Sequence, residues 1–133
     1  MATGEPAILV GHHMVKEAVS VDAWHPVGRA RQLMLTHSFS NLPVQIDGTW
    51  YLINELGMAS YLLRKPRKER DQALGRTISE AREDLGLVKA VVVRAEDPVD
   101  SIIKQSPGSP TALWLVVDAQ DRLGGVISAF ELM

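Results

Sequence analysis

The sequence predicts an α/β fold made of two tandem copies of one small β-α-β-β-α unit, related by a pseudo-twofold axis. Three observations carry this. Val19–Val27 lies over Val91–Val99 at an offset of 72 residues, and Val19/Val91, Val21/Val93, Ala23/Ala95, Pro26/Pro98 and Val27/Val99 are identical pairs. Leu42–Asp47 lies over Leu113–Asp118 at an offset of 71. Leu52–Asn54 then lies over Val126–Ser128 at 74, so three extra residues sit in the turn after the aspartate. Turns accept such insertions at little cost.

Each copy reads in the same order. A short strand, Ala18–Val21 or Lys89–Val93, runs into a proline, whose missing N–H suits the first turn of a helix. Asp22 and Asp97 precede that turn, where an acceptor suits a helix N-terminus. The first helix is Val27–His37, with Val27, Ala30, Leu33, Met34 and His37 at helical spacing; its counterpart is Val99–Gln105, with Val99, Ile102 and Ile103. A hairpin follows. Asn41–Ile46 and Thr49–Asn54 flank Asp47-Gly48, a two-residue turn signal. The second hairpin is Ala112–Val117, the turn Asp118–Asp121, then Arg122–Ser128. Closing helices are expected at Glu55–Arg64 and Ala129–Met133, the latter too short to stand alone. The predicted domains are an N-terminal extension 1–14, a first unit 15–64, a connecting helical segment 65–87 and a second unit 88–133. In the connector, Thr77 and Glu80 have the spacing of a capping box.

Composition narrows the function classes. With 46% hydrophobic and 23% charged residues the chain has an ordinary globular balance. A net charge of −2 gives no global positive field, so neither a membrane surface nor nucleic acid is an expected partner. The absence of cysteine removes disulfides, thiolate metal sites and thiol nucleophiles. No apolar run reaches the roughly 20 residues of a membrane helix, and the first residues lack a signal-peptide pattern, so a cytoplasmic location is expected.

The second copy carries Leu115-Val116-Val117-Asp118, then Arg122-Leu123-Gly124-Gly125-Val126-Ile127-Ser128-Ala129-Phe130-Glu131-Leu132. This resembles the pattern LVVD-x-x-G-x-L-x-G-I-[IV]-[ST]-x-x-D-L of the CBS-domain family, named for cystathionine beta-synthase. The first copy, with Leu42-Pro43-Val44 and Trp50-Tyr51-Leu52-Ile53-Asn54, is similar to the same family, less closely. The resemblance runs from about Val15 to Met133 and is that of a CBS-domain pair, or Bateman module.

The resemblance implies a non-enzymatic regulatory module. Such pairs bind an adenine nucleotide (AMP, ADP or ATP) or S-adenosylmethionine in clefts between their units, signal to a partner protein, and form dimers through their helices. A homodimer is therefore expected, with Leu33/Met34 and Met58/Leu62 as the apolar stripes left for contact. The family's Ser/Thr and Asp anchors fall on Ser128 and Glu131 in the second copy, and on Asn54 and Gly57 in the first. Val93 and Val117 would wall the adenine, and Ser20 is a further ligand-facing candidate. Glu131 is one methylene longer than Asp, and Gly57 has no carboxylate, so nucleotide is expected at the Ser128/Glu131 cleft. A helical glycine needs no positive φ, so Gly57 is expected to admit a side chain. The alternative is a module of the same fold with empty clefts, serving dimerisation or partner docking.

Other candidates have plainer explanations. His12-His13, with His25 and His37, lack a metal-ligand spacing, because adjacent residues of a strand face opposite sides. Arg64–Arg70 is a dense basic run that could meet phosphate, although cations also suit the end of the preceding helix. Ser106–Pro110 lacks the Gly-Lys-Ser/Thr ending of a phosphate-binding loop. Trp50 and Trp114 fall in strands, where packing explains them. Glu96-Asp97 sits at a helix start, where capping explains it. No nucleophile elbow or other catalytic set is present, and no metal or resident cofactor is expected.

Overall fold

The computed structural model describes residues 8–16, 18–105, 113–128 and Glu131. Of the second closing helix, expected at Ala129–Met133, Glu131 alone is described, and Ala112, expected to open the second hairpin, and the Ser106–Pro110 loop lie outside the described residues. Two compact units are present: residues 19–90, and a unit combining the N-terminal residues to 18 with those from 91 onward.

The unit of residues 19–90 is built on a four-stranded sheet ordered β1 (Val21–Asp22), β2 (Asn41–Ile46), β3 (Thr49–Asn54), β4 (Val88–Lys89). β1 runs parallel to β2, and β3 is antiparallel to both β2 and β4. The helices are α1 (Val27–His37), α2 (Glu55–Leu63), α3 (Arg70–Gly75) and α4 (Ile78–Ala81). Asp47 and Gly48 both take positive φ, 50° and 80°. This is the type I′ geometry that matches strand twist in a two-residue hairpin. The core includes Val27, Ala30 and Met34 of α1, Leu42, Val44 and Ile46 of β2, and Tyr61 of α2. The connecting segment, expected as helical, is part of this unit. Ala73, Ile78, Ala81 and Leu85 enter its core, and the buried Tyr61 hydroxyl donates to the Ala73 carbonyl at 2.8 Å.

The second unit is built on a three-stranded sheet, β5 (Val91–Val93), β6 (Leu113–Val117), β7 (Leu123–Ser128), with α5 (Val99–Gln105) crossing between the parallel β5 and β6. Val93, Ile102, Trp114, Val116 and Ile127 form its core. Its hairpin joins Val117 to Leu123, leaving five residues in the turn against two between Ile46 and Thr49. That difference of three is the expected insertion. Asp118 organises the longer turn: its Oδ1 accepts the N–H groups of Gln120 and Arg122, each at 2.9 Å, and its Oδ2 accepts Arg122 Nε at 2.9 Å. These donors hold the Asp118 carboxyl below its ordinary pKa.

The expected strand Lys89–Val93 is divided. Val88–Lys89 pairs with β3, whereas Val91–Val93 pairs with β6, and Ala90 bonds Trp50 O between them. The N-terminal residues behave likewise. Val15 pairs with Val126 of β7 through two backbone bonds of 2.7 and 3.0 Å. Each sheet is therefore extended by chain that precedes the other copy's first strand.

The repeat reaches further than identical residues disclose. In the unit of residues 19–90, Val27 N–H donates to Arg76 O, Ile78 N–H to His25 O and Ser79 N–H to Ala23 O, with a bridge between Pro26 and Thr77. In the other unit, Val99 N–H donates to Ile8 O, Val10 N–H to Asp97 O and Gly11 N–H to Ala95 O, with a bridge between Leu9 and Pro98. The two patterns coincide: residues 8–11 are the counterpart of 76–79. Val10 and Ile78 are both fully buried. Thus residues 8–11, expected to lie in an extension, pair with the second unit as residues 76–79 pair with the first.

This pairing also answers how α1 begins. Its N-cap is Pro26 with no side-chain cap, so Asp22 does not perform the expected role; the first orphan N–H goes to Arg76 O instead. Asp97 accepts Arg94 N–H at 2.8 Å and so braces the turn before α5. His12 and His13 lie at the end of a 3₁₀ turn, not in a strand, and both are exposed. Among the described residues no helix is long and apolar enough to cross a membrane.

Candidate functional site

Ser128 is the last residue of β7, paired across the sheet with Leu113. Its backbone N–H donates to Glu131 Oε2 at 2.7 Å, and its hydroxyl donates to the same oxygen. Two donors on one carboxylate oxygen favour the charged form. The Glu131 carboxyl lies below its ordinary pKa, chiefly through the Ser128 hydroxyl, with partial burial opposing and the Ser128 N–H adding to it. The strand end thus presents a fixed anionic acceptor beside a hydroxyl, the chemistry that recognises vicinal hydroxyl groups.

In the first copy Asn54 is the last residue of β3 and the N-cap of α2. Its Oδ1 accepts Gly57 N–H at 2.6 Å. The spacing of three residues is the same, but the donor and acceptor are reversed, and no charge results. Gly57 does not admit a side chain, contrary to expectation. A Cβ there would overlap the carbonyl oxygen of Leu85, and would stand 3.2 Å from Asn54 Oδ1. The expectation considered φ alone; the obstacle is a neighbouring backbone. Asn54, Gly57, Ser60, Arg64, Asp84 and Leu85 line an open hollow of about 320 Å³.

The remaining candidates are Val93, Val117 and Ser20. Val93 and Val117 are 4% and 6% exposed, so their side chains belong to the core of their unit. Ser20 is exposed, immediately before β1. Two relationships escaped sequence reasoning. One is the approach of Leu85 to Gly57, for which the glycine was the only signal. The other is the Ser128–Glu131 bond, legible in principle as the Ser-x-x-Glu spacing of a capping box.

The helices carry a separate feature. Arg31, Met34, Leu35, Phe39, Met58 and Leu62 are among the residues lining a hollow of about 430 Å³ between α1 and α2. Of the expected contact stripes, Met34 and Met58 are core residues, each 6% exposed, while Leu33 and Leu62 are half-buried; among the described residues Leu35, Leu56 and Leu63 are the exposed leucines.

No family model matches the chain, and no curated protein matches it. Solved structures do. A CBS-domain-containing protein of unknown function from Bacillus anthracis matches with a TM-score of 0.73 at 15% identity, over 94% of this chain and 89% of that one. The CBS domain pair of protein MJ0100, in complex with 5-methylthioadenosine and S-adenosyl-L-methionine, matches with a TM-score of 0.68 at 17% identity, over 94% and 96%. CBSX2, in complex with AMP, matches with a TM-score of 0.68 at 19% identity, over 93% and 92%. At these identities the likeness is one of fold, and it extends over nearly the whole chain. The chain has the fold of a tandem CBS-domain pair.

Proposed function

We propose that this chain is a regulatory module that senses an adenosine-containing ligand and passes the signal to a partner protein. The observation that carries the reading is the Ser128–Glu131 pair: a carboxylate held charged at the exit of the last strand, where ribose hydroxyls would find an acceptor. Two neighbours in fold support it, one described with AMP and one with 5-methylthioadenosine and S-adenosyl-L-methionine. Glu131 Oε1 makes neither bond to Ser128, so a ribose would approach that oxygen or displace the Ser128 hydroxyl. A ligand shifts a conformational equilibrium only by its differential affinity for the two states. The partner reads that difference. Calorimetric titration with AMP, ADP, ATP, S-adenosylmethionine and NAD tests the reading.

We further propose a homodimer, formed through the α1–α2 hollow. Its apolar lining, with Arg31 and Glu55 among the lining residues as a complementary charge pair, suits a self-matching contact about a twofold axis. Light scattering should give twice the chain mass at micromolar concentration; a monomer contradicts the interface.

The second reading is a module that binds no nucleotide and serves assembly or docking. Gly57 favours it, since the first copy has no room at that position for a carboxylate side chain to accept ribose hydroxyls. Failure of every adenine ligand at millimolar concentration selects it.

A further inference from the structure

Residues 64–70 read Arg-Lys-Pro-Arg-Lys-Glu-Arg, five cations and one carboxylate. This is a net +4 in a chain of net −2, which leaves −6 on the other residues. The charge is clustered along the chain, although Asp71 follows the run and Glu83 and Asp84 line a hollow with Arg64. Ion pairs engage Arg76, Arg82, Arg94 and Arg122; among the described residues, none engages Arg64, Lys65, Arg67, Lys68 or Arg70. Arg70 Nε is buried with no protein partner.

Helix capping explains only part of the run. Arg64 and Lys65 follow the last turn of α2, where its dipole favours cations. That effect fades within a turn, so Arg67, Lys68 and Arg70 gain nothing from it. Instead the chain holds these like charges together. Pro66 leads into a 3₁₀ turn, Arg67–Glu69, closed by Glu69 N–H on Pro66 O at 2.8 Å. The following α3 is anchored by the Tyr61–Ala73 bond. Beside the run lies a polar hollow of about 240 Å³ lined by Lys65, Glu69, Gln72, Ala73 and Arg76.

We infer that this basic face docks a short acidic peptide segment, rich in aspartate and glutamate, of a partner protein. The surrounding charge selects the occupant. A nucleic acid or anionic bilayer extends well past the run and would meet the other charges of the same unit, five cations against seven carboxylates or a net −2, whereas at physiological salt a short segment is screened from them beyond about 8 Å. Complementary charge of this kind speeds encounter and excludes wrong partners. The inference is independent of nucleotide binding.

The test uses the intact protein, titrated at physiological ionic strength with a short fluorescein-labelled oligoglutamate peptide and, separately, with a single-stranded oligothymidylate several times longer than the run. The peptide should bind more tightly than the oligonucleotide and should be released as salt rises. Arg67→Glu/Lys68→Glu should weaken it about tenfold, because two exposed contacts are reversed. Arg29→Glu/Lys104→Glu, a control pair of exposed cations outside the run, should change affinity less than about twofold. Thermal melts check that each variant is folded; if the reversed pair is not, Arg67→Gln/Lys68→Gln carries the same comparison. Tighter binding of the oligonucleotide, equal loss in the control pair, or no peptide binding at millimolar concentration would overturn the inference.

Discussion

The α-carbon of Gly57 lies against the carbonyl oxygen of Leu85, with no room between them for a methyl group. Gly57 is in the first turn of α2, and Leu85 is a fully buried core residue at the end of the connecting segment. The contact fastens that segment to the first copy, and it dictates the chemistry at this position. A carboxylate at residue 57 would require the backbone around Leu85 to move.

Gly57→Ala should accordingly destabilise the protein by about 1–3 kcal/mol, the usual cost of overfilling a packed site. Gly57→Asp should cost at least as much and should create no second nucleotide site. Chemical denaturation of both variants measures this; an unchanged midpoint in Gly57→Ala would show that the Leu85 backbone yields freely.

The N-terminal residues should prove integral to the second unit. Val10 is fully buried, and its N–H bonds Asp97 O at 2.9 Å. Val10→Ala should cost about 2 kcal/mol from lost burial and the cavity left behind. Amide exchange should report the loss in β5–β7 more than in β1–β4. A variant as stable as the parent would mean that residues 8–15 dock only loosely.

Acid should weaken the Ser128–Glu131 bond. The folded state holds the Glu131 carboxyl below its ordinary pKa, so the folded protein binds that proton less readily than the unfolded chain. Its stabilisation is complete above the unfolded value, about 4.3, and is lost as pH falls through the lower folded value. The stability difference between the parent and Glu131→Gln should therefore shrink across that acid range. The depressed Asp118 is common to both proteins and cancels. A difference independent of pH would remove the charge from the account.

The fold was largely legible because its elements are local. Val27–His37 and Asn41–Asn54 announce themselves through helical spacing and an Asp-Gly turn, and the structure forms them at those residues. What the sequence concealed depends on contacts between distant backbones. Leu9, Val10 and Gly11 share no residue identity with Thr77, Ile78 and Ser79, yet they make the same hydrogen bonds, since backbone pairing needs no particular side chain. The start of α1 was misread for a related reason: the acceptor for its first N–H is a carbonyl 49 residues away, at Arg76, and not the nearby Asp22. At the candidate site, the family pattern pointed to Ser128 and Glu131, which the structure joins by a hydrogen bond. The mutual engagement of Ser128 and Glu131 was missed although the capping-box spacing offered it, because the family pattern describes what each offers a ligand rather than what each offers the other.

Calorimetric titration of AMP and ATP into the wild type and Glu131→Ala tests the central claim most directly. Ribose hydroxyls bonded to a charged acceptor are worth about 1.5–3 kcal/mol, so Glu131→Ala should bind about tenfold to a hundredfold more weakly. Its thermal melt, recorded alongside, separates lost contact from lost fold. Unchanged affinity in a folded Glu131→Ala would contradict the proposed anchor, and a wild type that binds neither nucleotide, nor S-adenosylmethionine, would contradict nucleotide sensing itself.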